Sequence, residues 1–346
     1  MDFEAGKRYF MDTVQALMSV DSPTGFTAAG VDKAQELVQA LGYPTRRTNK
    51  GNLVITVEGR ESGHAVGLCA HLDTLGLVVR SITEDGQLMF TPLGAPQLPS
   101  LEGEYCRIYT RDNRVYTGTI LSLSPAIHVF PDAPTRPRDE KNMAVRIDEK
   151  VHSRADVEAL GIRAGDFICY DPKTVFTGQG FLKSRFIDDK GSAAILITLL
   201  KLMKDAGVKP KYRAEISLTV YEEVGHGGAT MSQDLEELLV VDMGCVGDDL
   251  TCTEYKVSIC AKDSGGPYDY GMVTRLINLA QDHGLDFAVD IYPRYTSDAS
   301  ALWRSGRDTR AALVGPGVHA SHGMERTHMD GIMNTMKLVS LYLDIQ

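Results

Sequence analysis

Helical and extended apolar segments alternate through the second half of the sequence, and this alternation is the feature that most restricts the fold. Helical spacing of apolar residues covers 189–206, 229–237, 268–283 and 330–345, and apolar runs cover 213–222, 238–245, 287–292 and 311–315. Strands that are separated by helices in this way pair side by side in one sheet. The sequence therefore predicts an α/β fold in which helices flank a central, largely parallel or mixed sheet. Sites in such folds lie beyond the carboxyl ends of the strands.

The first 75 residues carry the same pattern, and a segment of different texture then interrupts it. Helical spacing in residues 3–20 and 27–41 precedes short apolar runs at 53–57 and 65–70. Residues 76–177 instead contain short extended pieces between clusters of proline and glycine. We expect a catalytic domain formed by residues 1–75 and 178–346. Residues 76–177 are expected to form a β-rich insertion, PDZ-like or barrel-shaped.

Charge and cysteine usage exclude several classes of function. The formal net charge is −10, which argues against nucleic-acid binding and against a polybasic membrane patch. The six cysteines include no Cys-x-x-Cys pair, and most lie in apolar surroundings, which predicts buried free thiols in a reducing cytoplasm. The first residues lack the pattern of a secretion signal, and no apolar run has membrane-spanning length. We therefore expect a cytoplasmic protein without membrane or nucleic-acid partners.

Two adjacent glutamates, Glu222 and Glu223, follow the apolar run 216–220 and precede a glycine-rich turn. A strand that ends in paired carboxylates can give one of them to a metal ion and leave the other free as a base. Metal-assisted hydrolysis needs both of these roles. Adjacent glutamates are also common on solvated helix faces, so the pair alone does not identify a site.

Four further polar clusters follow apolar runs or open a helix, and each has an ordinary structural explanation by itself. They are His71 with Asp73, Asp188 with Asp189, Asp242, and a late segment with His319, His322 and His328. A His-x-Asp pair is common in surface turns, an aspartate pair can cap a helix, and a lone aspartate often lies in a turn. Histidine is also the commonest metal-binding side chain near neutral pH. The joint occurrence of the clusters is what favours a site.

Together the clusters supply two histidines and three carboxylates, a set that suits two metal ions sharing one carboxylate. Asp188 is the natural bridge between them. Imidazole and carboxylate ligands without thiolate favour Zn or Co, with Mn as a third candidate. Such a pair of ions polarises a carbonyl and lowers the pKa of a bound water. If Glu223 is a ligand, Glu222 is free to act as the general base. His71 would be a ligand and Asp73 would orient it.

The order and spacing of these motifs resemble the M42 family of dinuclear metallo-aminopeptidases over nearly the whole chain. The resemblance implies that His71, Asp188 and Asp242 bind one ion and that Glu223 and a late histidine complete the other. It also implies that Glu222 is the general base, that Asp73 supports His71, and that the Asp188–Asp189 peptide is cis. Such proteins form dimers through the insertion and tetrahedral dodecamers from those dimers. The implied substrates are short peptides.

The sequence departs from the family pattern at several positions. Lys190 stands where the family often has arginine, and the usual Gly-Thr-Asp-Ala-Gly turn is replaced by residues 295–300. The usual late His-Ser-Pro is His322-Gly323-Met324. We prefer His322 as the fifth ligand because a glutamate follows it closely, with His319 as the alternative. Three arginines near residue 298 would favour acidic substrates if they lined a pocket, and would be surface charges otherwise: Arg294, Arg304 and Arg307.

The leading hypothesis for function is a dinuclear metallo-aminopeptidase that removes residues from peptide N-termini. An amidohydrolase or deacylase that uses the same metal site on acylated small molecules is the alternative. A non-catalytic metal-binding scaffold is less favoured, because Glu222 is not needed as a ligand. A glycosidase is the weakest hypothesis, since it needs two carboxylates that flank a sugar and no metal pair.

Overall fold

The computed structural model describes residues 1–345, and its elements alternate much as the sequence predicts. The helices are α1 (Phe3–Met18), α2 (Ala28–Ala40), α3 (Arg154–Ala159), α4 (Ile187–Ala206), α5 (Tyr270–Asp282), α6 (Asp298–Arg304) and α7 (Met329–Tyr342). The first ten strands are β1 (Thr45–Arg47), β2 (Leu53–Val57), β3 (Ala65–His71), β4 (Gly76–Ile82), β5 (Leu88–Leu93), β6 (Tyr105–Tyr109), β7 (Val115–Ser122), β8 (Met143–Ile147), β9 (Phe167–Tyr170) and β10 (Val175–Phe176). The remaining strands are β11 (Phe181–Ser184), β12 (Ala214–Thr219), β13 (Leu235–Val241), β14 (Gly244–Cys245), β15 (Val257–Asp263), β16 (Gly266–Pro267), β17 (Phe287–Ile291), β18 (Arg310–Val318) and β19 (Glu325–His328).

The chain divides into two compact units. One combines Met1–Thr74 with the chain from Lys173 onward, and the other is Leu75–Pro172. The first unit contains a ten-stranded mixed sheet whose main order is β1-β2-β12-β3-β13-β18-β15-β16. The second contains a closed barrel with strand order β4-β5-β8-β7-β6-β9. The predicted α/β class, with its mixed central sheet and a β-rich barrel, is confirmed.

The centre of the large sheet is parallel. Strands β12, β3, β13 and β18 run in the same direction, whereas β2 and β15 are antiparallel to their neighbours β12 and β18. All residues of β3 and β12 are buried, and the burial of β3 on both faces explains its continuous apolar run up to His71. The parallel arrangement brings the carboxyl ends of four adjacent strands to one edge.

Helix α4 is buried along most of its length and carries the aspartate pair at its first turn. Asp188 and Asp189 have non-helical backbone angles, and the peptide bond between them is cis, as the family resemblance implies. Lys190 is also buried, and its ammonium donates to the carbonyl oxygens of Leu17 and Val20 at 2.9 and 2.7 Å. The start of α4 is therefore tied to the end of α1. Within residues 1–345, none of the helices is long and apolar enough to span a bilayer.

The helix predicted for residues 229–237 is wrong. The chain there forms a 3-10 turn at Gly227–Thr230 and then enters strand β13. The sequence predicts this strand only from residue 238, because the carboxylate of Glu237 breaks the apolar pattern. In the folded chain Glu237 is buried, accepts a hydrogen bond from Tyr342 and is paired with Arg275 and Arg310. The ion pairs compensate for the burial of the charge, so the strand continues through it.

Candidate active site

The sequence-predicted site residues converge at the carboxyl edge of the parallel strands. His71 is the last residue of β3, Glu222 and Glu223 follow β12, and Asp242 follows β13. His322 lies in the turn between β18 and β19. Because β12, β3, β13 and β18 are adjacent in the sheet, their ends bring side chains from distant parts of the sequence together.

Asp188 lies between two histidines. Its Oδ1 is 3.0 Å from Nε2 of His71, and its Oδ2 is 3.4 Å from Nε2 of His322. The second histidine is also 3.7 Å from Oε2 of Glu223. Each oxygen of the carboxylate thus faces a different imidazole, which is the arrangement that a bridging ligand between two ions requires.

Two overlapping groups of donor atoms have the spacing of a metal site. One consists of His71, Asp189 and Asp242, and the other of His71, Asp188 and Glu223, with ligand atoms within 4.8 Å of one another in each. Oε1 of Glu223 and Oδ1 of Asp189 are buried and have no hydrogen-bond partner among residues 1–345. Buried carboxylate oxygens without partners are costly unless a cation is bound. The donors, imidazole and carboxylate, therefore fit divalent metal ions.

The electrostatics of the ligand set reflect its crowding. Burial would raise the pKa of Asp188, but hydrogen bonds with His322 and His71 hold the pKa of Asp188 well below its usual range. Burial would lower the pKa of His71, yet the contact with Asp188 and the nearby carboxylates raise it well above the usual value. Burial and the charge of Asp188 raise the pKa of Asp242 to about 7. Negative charge is thus concentrated here beyond what the two histidines neutralise.

The sequence predicts that Asp73 orients His71, and in the structure the carboxylate of Asp73 contacts the turn that carries the two glutamates. Its carboxylate is fully buried and accepts the backbone N–H groups of Glu222 and Glu223 at 3.1 and 3.3 Å, and the hydroxyl of Thr24 at 2.6 Å. Nδ1 of His71 lies 2.8 Å from the backbone oxygen of Asp73 and 3.7 Å from its carboxylate. The aspartate therefore orients His71 mainly through its main chain, and its side chain holds the turn that carries both glutamates.

Glu222 lies near the two groups of donor atoms but belongs to neither of them. Its Oε2 is 3.8 Å from Nε2 of His71, and its side chain is 11% exposed, whereas that of Glu223 is 4% exposed. Burial, together with the charges of Asp242 and Asp298, raises the pKa of Glu222 well above its usual range. A raised pKa makes a carboxylate a stronger base, which suits a group that accepts a proton and then releases it.

Sequence analysis missed that Asp298 holds the turn that carries Glu222 and Glu223. One carboxylate oxygen accepts the backbone N–H of Gly228 at 2.6 Å, and the other accepts the hydroxyl of Thr219 at the end of β12. A Cβ at Gly228 would lie 2.3 Å from the backbone oxygen of Asp298, so only glycine fits there. Burial raises the pKa of Asp298 to about 6. The signal in the sequence was the glycine pair that follows the two glutamates.

Glu325 holds the backbone at two of the predicted ligands, Asp188 and His322. Its two oxygens accept the backbone N–H groups of Asp188, at 3.1 Å, and His322, at 3.0 Å. His322 adopts a left-handed backbone with φ of 64°, and this hydrogen bond holds it there. His319 is exposed, so of the two late histidines it is His322 that faces Asp188.

The three arginines near residue 298 are more exposed than Asp189, the second aspartate of the pair. Arg294 and Arg304 are exposed and Arg307 is half-buried. Asp189, which sequence analysis does not predict as a ligand, is fully buried, and its Oδ2 accepts a hydrogen bond from the backbone N–H of His71 at 3.1 Å. Its place in a donor group was hidden in the sequence, because two adjacent acids at a helix start are usually caps.

Comparison with known proteins shows a matching family and a shared fold. The profile of the M42 glutamyl aminopeptidase family matches residues 51–338. YhfE of Bacillus subtilis (strain 168) is 42% identical over 337 residues, which are 97% of each chain. Among solved structures, the TET aminopeptidase of Thaumarchaeota archaeon SCGC AB-539-E09 superposes with a TM-score of 0.86 at 20% identity, covering 96% of each chain. The Pyrococcus horikoshii TET1 peptidase, which assembles into a tetrahedron or a large octahedral shell, gives 0.80 at 19% identity, covering 96% of this chain and 99% of that one. At these identities the two structures establish the shared fold.

Proposed function

This chain belongs to the M42 glutamyl aminopeptidase family, and from that premise we propose that it is an aminopeptidase with a dinuclear metal centre. The observation that carries the dinuclear assignment is the position of Asp188, whose two carboxylate oxygens face His71 and His322 separately. In this proposal Asp188 would be shared by two divalent ions. His71 and Asp242 would help to hold one of them, and Glu223 and His322 would help to hold the other.

The bound ions would polarise the substrate carbonyl and lower the pKa of the attacking water. Zn or Co fits the donor set best, and Mn is the third candidate. The remaining chemistry belongs to side chains of this chain. Glu222 accepts a proton from water as the oxygen of that water adds to the scissile carbonyl carbon, and Glu222 then gives the proton to the nitrogen of the leaving amine. Asp73 and Asp298 keep the turn around Glu222 fixed during both transfers.

A substrate panel on the metal-reconstituted protein tests this proposal. We expect free amino acids to be released from unblocked short peptides, and we expect the same peptides with an acetylated N-terminus to be poor substrates. Release from acylated amino acids alone would contradict the aminopeptidase assignment and indicate a deacylase. Metal analysis of the purified protein, run beside the panel, should give two divalent ions per chain.

Assembly and location form the last part of the proposal. The similar TET1 peptidase assembles into closed shells. We propose that this chain also forms homo-oligomers, with dimers built through the barrel unit Leu75–Pro172 and a tetrahedral dodecamer as the closed form. A closed shell would admit only short peptides. All six cysteines are free thiols, five of them buried, which supports a reducing cytoplasmic location.

A further inference from the structure

A cleft of about 660 Å³ lies at the amino edge of the central sheet, and all of its lining belongs to the unit that contains this sheet. We call it the amino-edge cleft, and its lining includes Val66, Lys211, Tyr212, Glu237, Arg275 and Leu279. Small-molecule sites in proteins are typically cavities of about 300–1,000 Å³. The candidate active site lies at the opposite, carboxyl edge of the same strands, so a molecule bound in the cleft would leave the metal-ligand groups free.

Hydrogen bonds tie the walls of the cleft together. The backbone N–H of Glu61 donates to the carbonyl oxygen of Lys211, and the backbone N–H of Lys211 donates to that of Leu343, both at 2.9 Å. The guanidinium of Arg60 donates to the backbone oxygen of Asp344 at 2.6 Å. The chain before β3, the chain before β12 and the end of α7 are therefore held in one arrangement. A ligand would enter a preformed space and would not have to order its walls.

Much of the lining is apolar or aromatic. Val66 and Leu343 are buried, and Leu279 and Tyr212 are half-buried. The ring of Tyr212 packs against the imidazole of His64, with ring centroids 4.5 Å apart. A lining of this kind favours a ligand with an apolar body, because binding removes apolar surface from water on both sides.

Two cationic side chains of the lining have hydrogen-bond donors to spare. The ammonium of Lys211 lies 5.3 Å from the centre of the Tyr212 ring, and it forms no ion pair with any residue that the structure describes. Arg275 donates one N–H to the carboxylate of Glu237, and its guanidinium lies 4.9 Å from the centre of the Tyr342 ring. The side chain of Arg275 is 45% exposed. A guanidinium has several N–H donors, so Arg275 retains some for a ligand.

The acidic groups of the cleft already have cationic partners. The buried carboxylate of Glu237 is paired with Arg275 and also with Arg310, at 3.0 Å. The carboxylate of Asp344 lies 3.6 Å from the guanidinium of Arg60. Two arginines share one carboxylate and Lys211 has none, so positive charge is left uncompensated in a chain whose formal net charge is −10. Charge complementarity therefore favours an anion in this cleft.

We propose that the amino-edge cleft binds a small monocarboxylate with an apolar body. Lys211 and Arg275 bind its carboxylate, because a planar guanidinium and an ammonium both donate charge-assisted hydrogen bonds to carboxylate oxygens. The apolar body packs against Leu279, Val66 and the ring of Tyr212. This site is separate from the metal centre and does not depend on the proposed aminopeptidase function.

A ligand-observed NMR titration of octanoate into the zinc-loaded protein tests this inference. Octanamide, which has the same chain and no charge, is the control ligand. Lys211→Met removes the ammonium and keeps an apolar stem, and Lys209→Met, at a nearby exposed lysine outside the cleft, is the matched control. We expect Lys211→Met to bind octanoate about 10-fold more weakly than the wild type, as loss of a charge-assisted hydrogen bond does. Lys209→Met should bind it like the wild type, and octanamide should bind all three proteins equally and more weakly than octanoate binds the wild type.

Leu279→Glu provides a second variant, at a half-buried position of α5. A carboxylate there repels the ligand, and we expect octanoate affinity to fall by at least about 10-fold. Octanoate that bound at the zinc ions instead would bind Lys211→Met and Leu279→Glu as it binds the wild type, and that result would overturn the inference. Absence of octanoate binding to the wild type would overturn it, as would equal affinity for octanamide. Loss of octanamide binding in Lys211→Met would make the lysine a structural residue and would also overturn its role.

Discussion

Oδ1 of Asp73 accepts the backbone N–H of Glu222 at 3.1 Å, although the two residues are separated by 149 positions in the sequence. The second oxygen of the same carboxylate accepts the N–H of Glu223 at 3.3 Å. One buried side chain therefore holds the main chain of the proposed base and of a proposed metal ligand at once. Tyr221, which precedes them, has a left-handed backbone with φ of 70°, a conformation that residues other than glycine rarely adopt. The hydrogen bonds that Asp73 accepts help to keep the turn in this conformation.

Replacement of Asp73 by asparagine should reduce turnover without releasing the metal ions. The amide oxygen can still accept a hydrogen bond. Its NH₂ group, however, would face either a backbone N–H or the Thr24 hydroxyl, both of which now donate to the carboxylate. We expect a roughly 10-fold to 100-fold loss of kcat, the usual effect of disturbing a residue that orients a metal site. Steady-state kinetics and metal analysis on the same sample measure it. Asp85→Asn, at an exposed aspartate, is the control, and equal losses in both variants would argue against the role given to Asp73.

Glu222→Gln should retain metal and lose most of its activity. Glutamine keeps the size of the side chain and removes its ability to accept and release a proton. We expect kcat to fall by about 10²-fold to 10⁴-fold, the range of general acid–base catalysis. The exposed Glu58→Gln variant should match the wild type. Undiminished kcat in purified, metal-replete Glu222→Gln would refute the assignment of the base.

Substitution of His322 should weaken the binding of one metal ion, whereas substitution of His319 should not. Nε2 of His322 lies 3.4 Å from Asp188 and 3.7 Å from Glu223, whereas His319 is exposed. His322→Ala should therefore bind one ion tightly and the second at least 10-fold more weakly, because the weaker site loses one of its few protein ligands. His319→Ala should bind both ions like the wild type. Titration calorimetry of the chelator-treated variants measures this, and the reverse result would make His319 the ligand.

The stability of the metal-free protein should fall as pH rises from 5 to 8. Burial, with nearby negative charge, raises the pKa of Asp242 to about 7 and of Glu325 to about 8, and burial raises the pKa of Asp298 to about 6. Above about pH 4 the unfolded chain has released these protons while the folded chain still holds them, so raising the pH favours unfolding. The raised pKa of His71 acts in the same direction, because its stabilising charge is lost on deprotonation. The lowered pKa of Asp188 stabilises the fold, and that contribution is lost only at lower pH.

Bound divalent ions should reverse this trend, because they bind the deprotonated carboxylates and the neutral imidazoles. Thermal unfolding followed in chelator and in excess Zn²⁺ or Mn²⁺ at several pH values provides the measurement. A melting temperature that rises between pH 5 and 8 in the presence of chelator would contradict the expected sign. A melting temperature unaffected by every divalent ion tried would contradict the metal site.

Exposed apolar residues in the barrel unit offer a test of the proposed assembly. Ile127 and Val129 are 67% and 69% exposed in the chain alone, which is unusual for two apolar side chains so close in sequence. The double substitution Ile127→Asp and Val129→Asp should shift the protein toward the 37.8 kDa monomer in light scattering. Tyr270→Ser, at an exposed aromatic residue of the other unit, is the control. Unchanged mass in the double variant would remove this surface from the proposed interface.

Periodicity in the sequence was sufficient for the long elements, and it failed where tertiary contacts decide the local structure. Helix α4 and strand β3 were predicted from their apolar residues alone, since each is buried on nearly all sides. The segment 229–237 was predicted as a helix and is a turn followed by β13. The start of this strand contains Glu237, which is paired with Arg275 and Arg310, residues far away in the chain. Local patterns contain no information about such partners.

The candidate site divides in the same way. The sequence by itself determined which residue types lie at the ends of the central strands, because a strand end is a local feature: His71, Glu222, Glu223 and Asp242 are found there. It also placed Asp188 at the start of a helix. Only the tertiary structure decided that Asp188 faces two imidazoles, that Asp73 holds the glutamate turn, and that Asp298 and Glu325 enter the site. These relationships arise from the parallel order β12-β3-β13-β18, which brings four strand ends to one edge of the sheet. Side chains separated by more than one hundred residues can then share a hydrogen bond. The spacing of residues along the chain does not encode the distance or direction of such a contact.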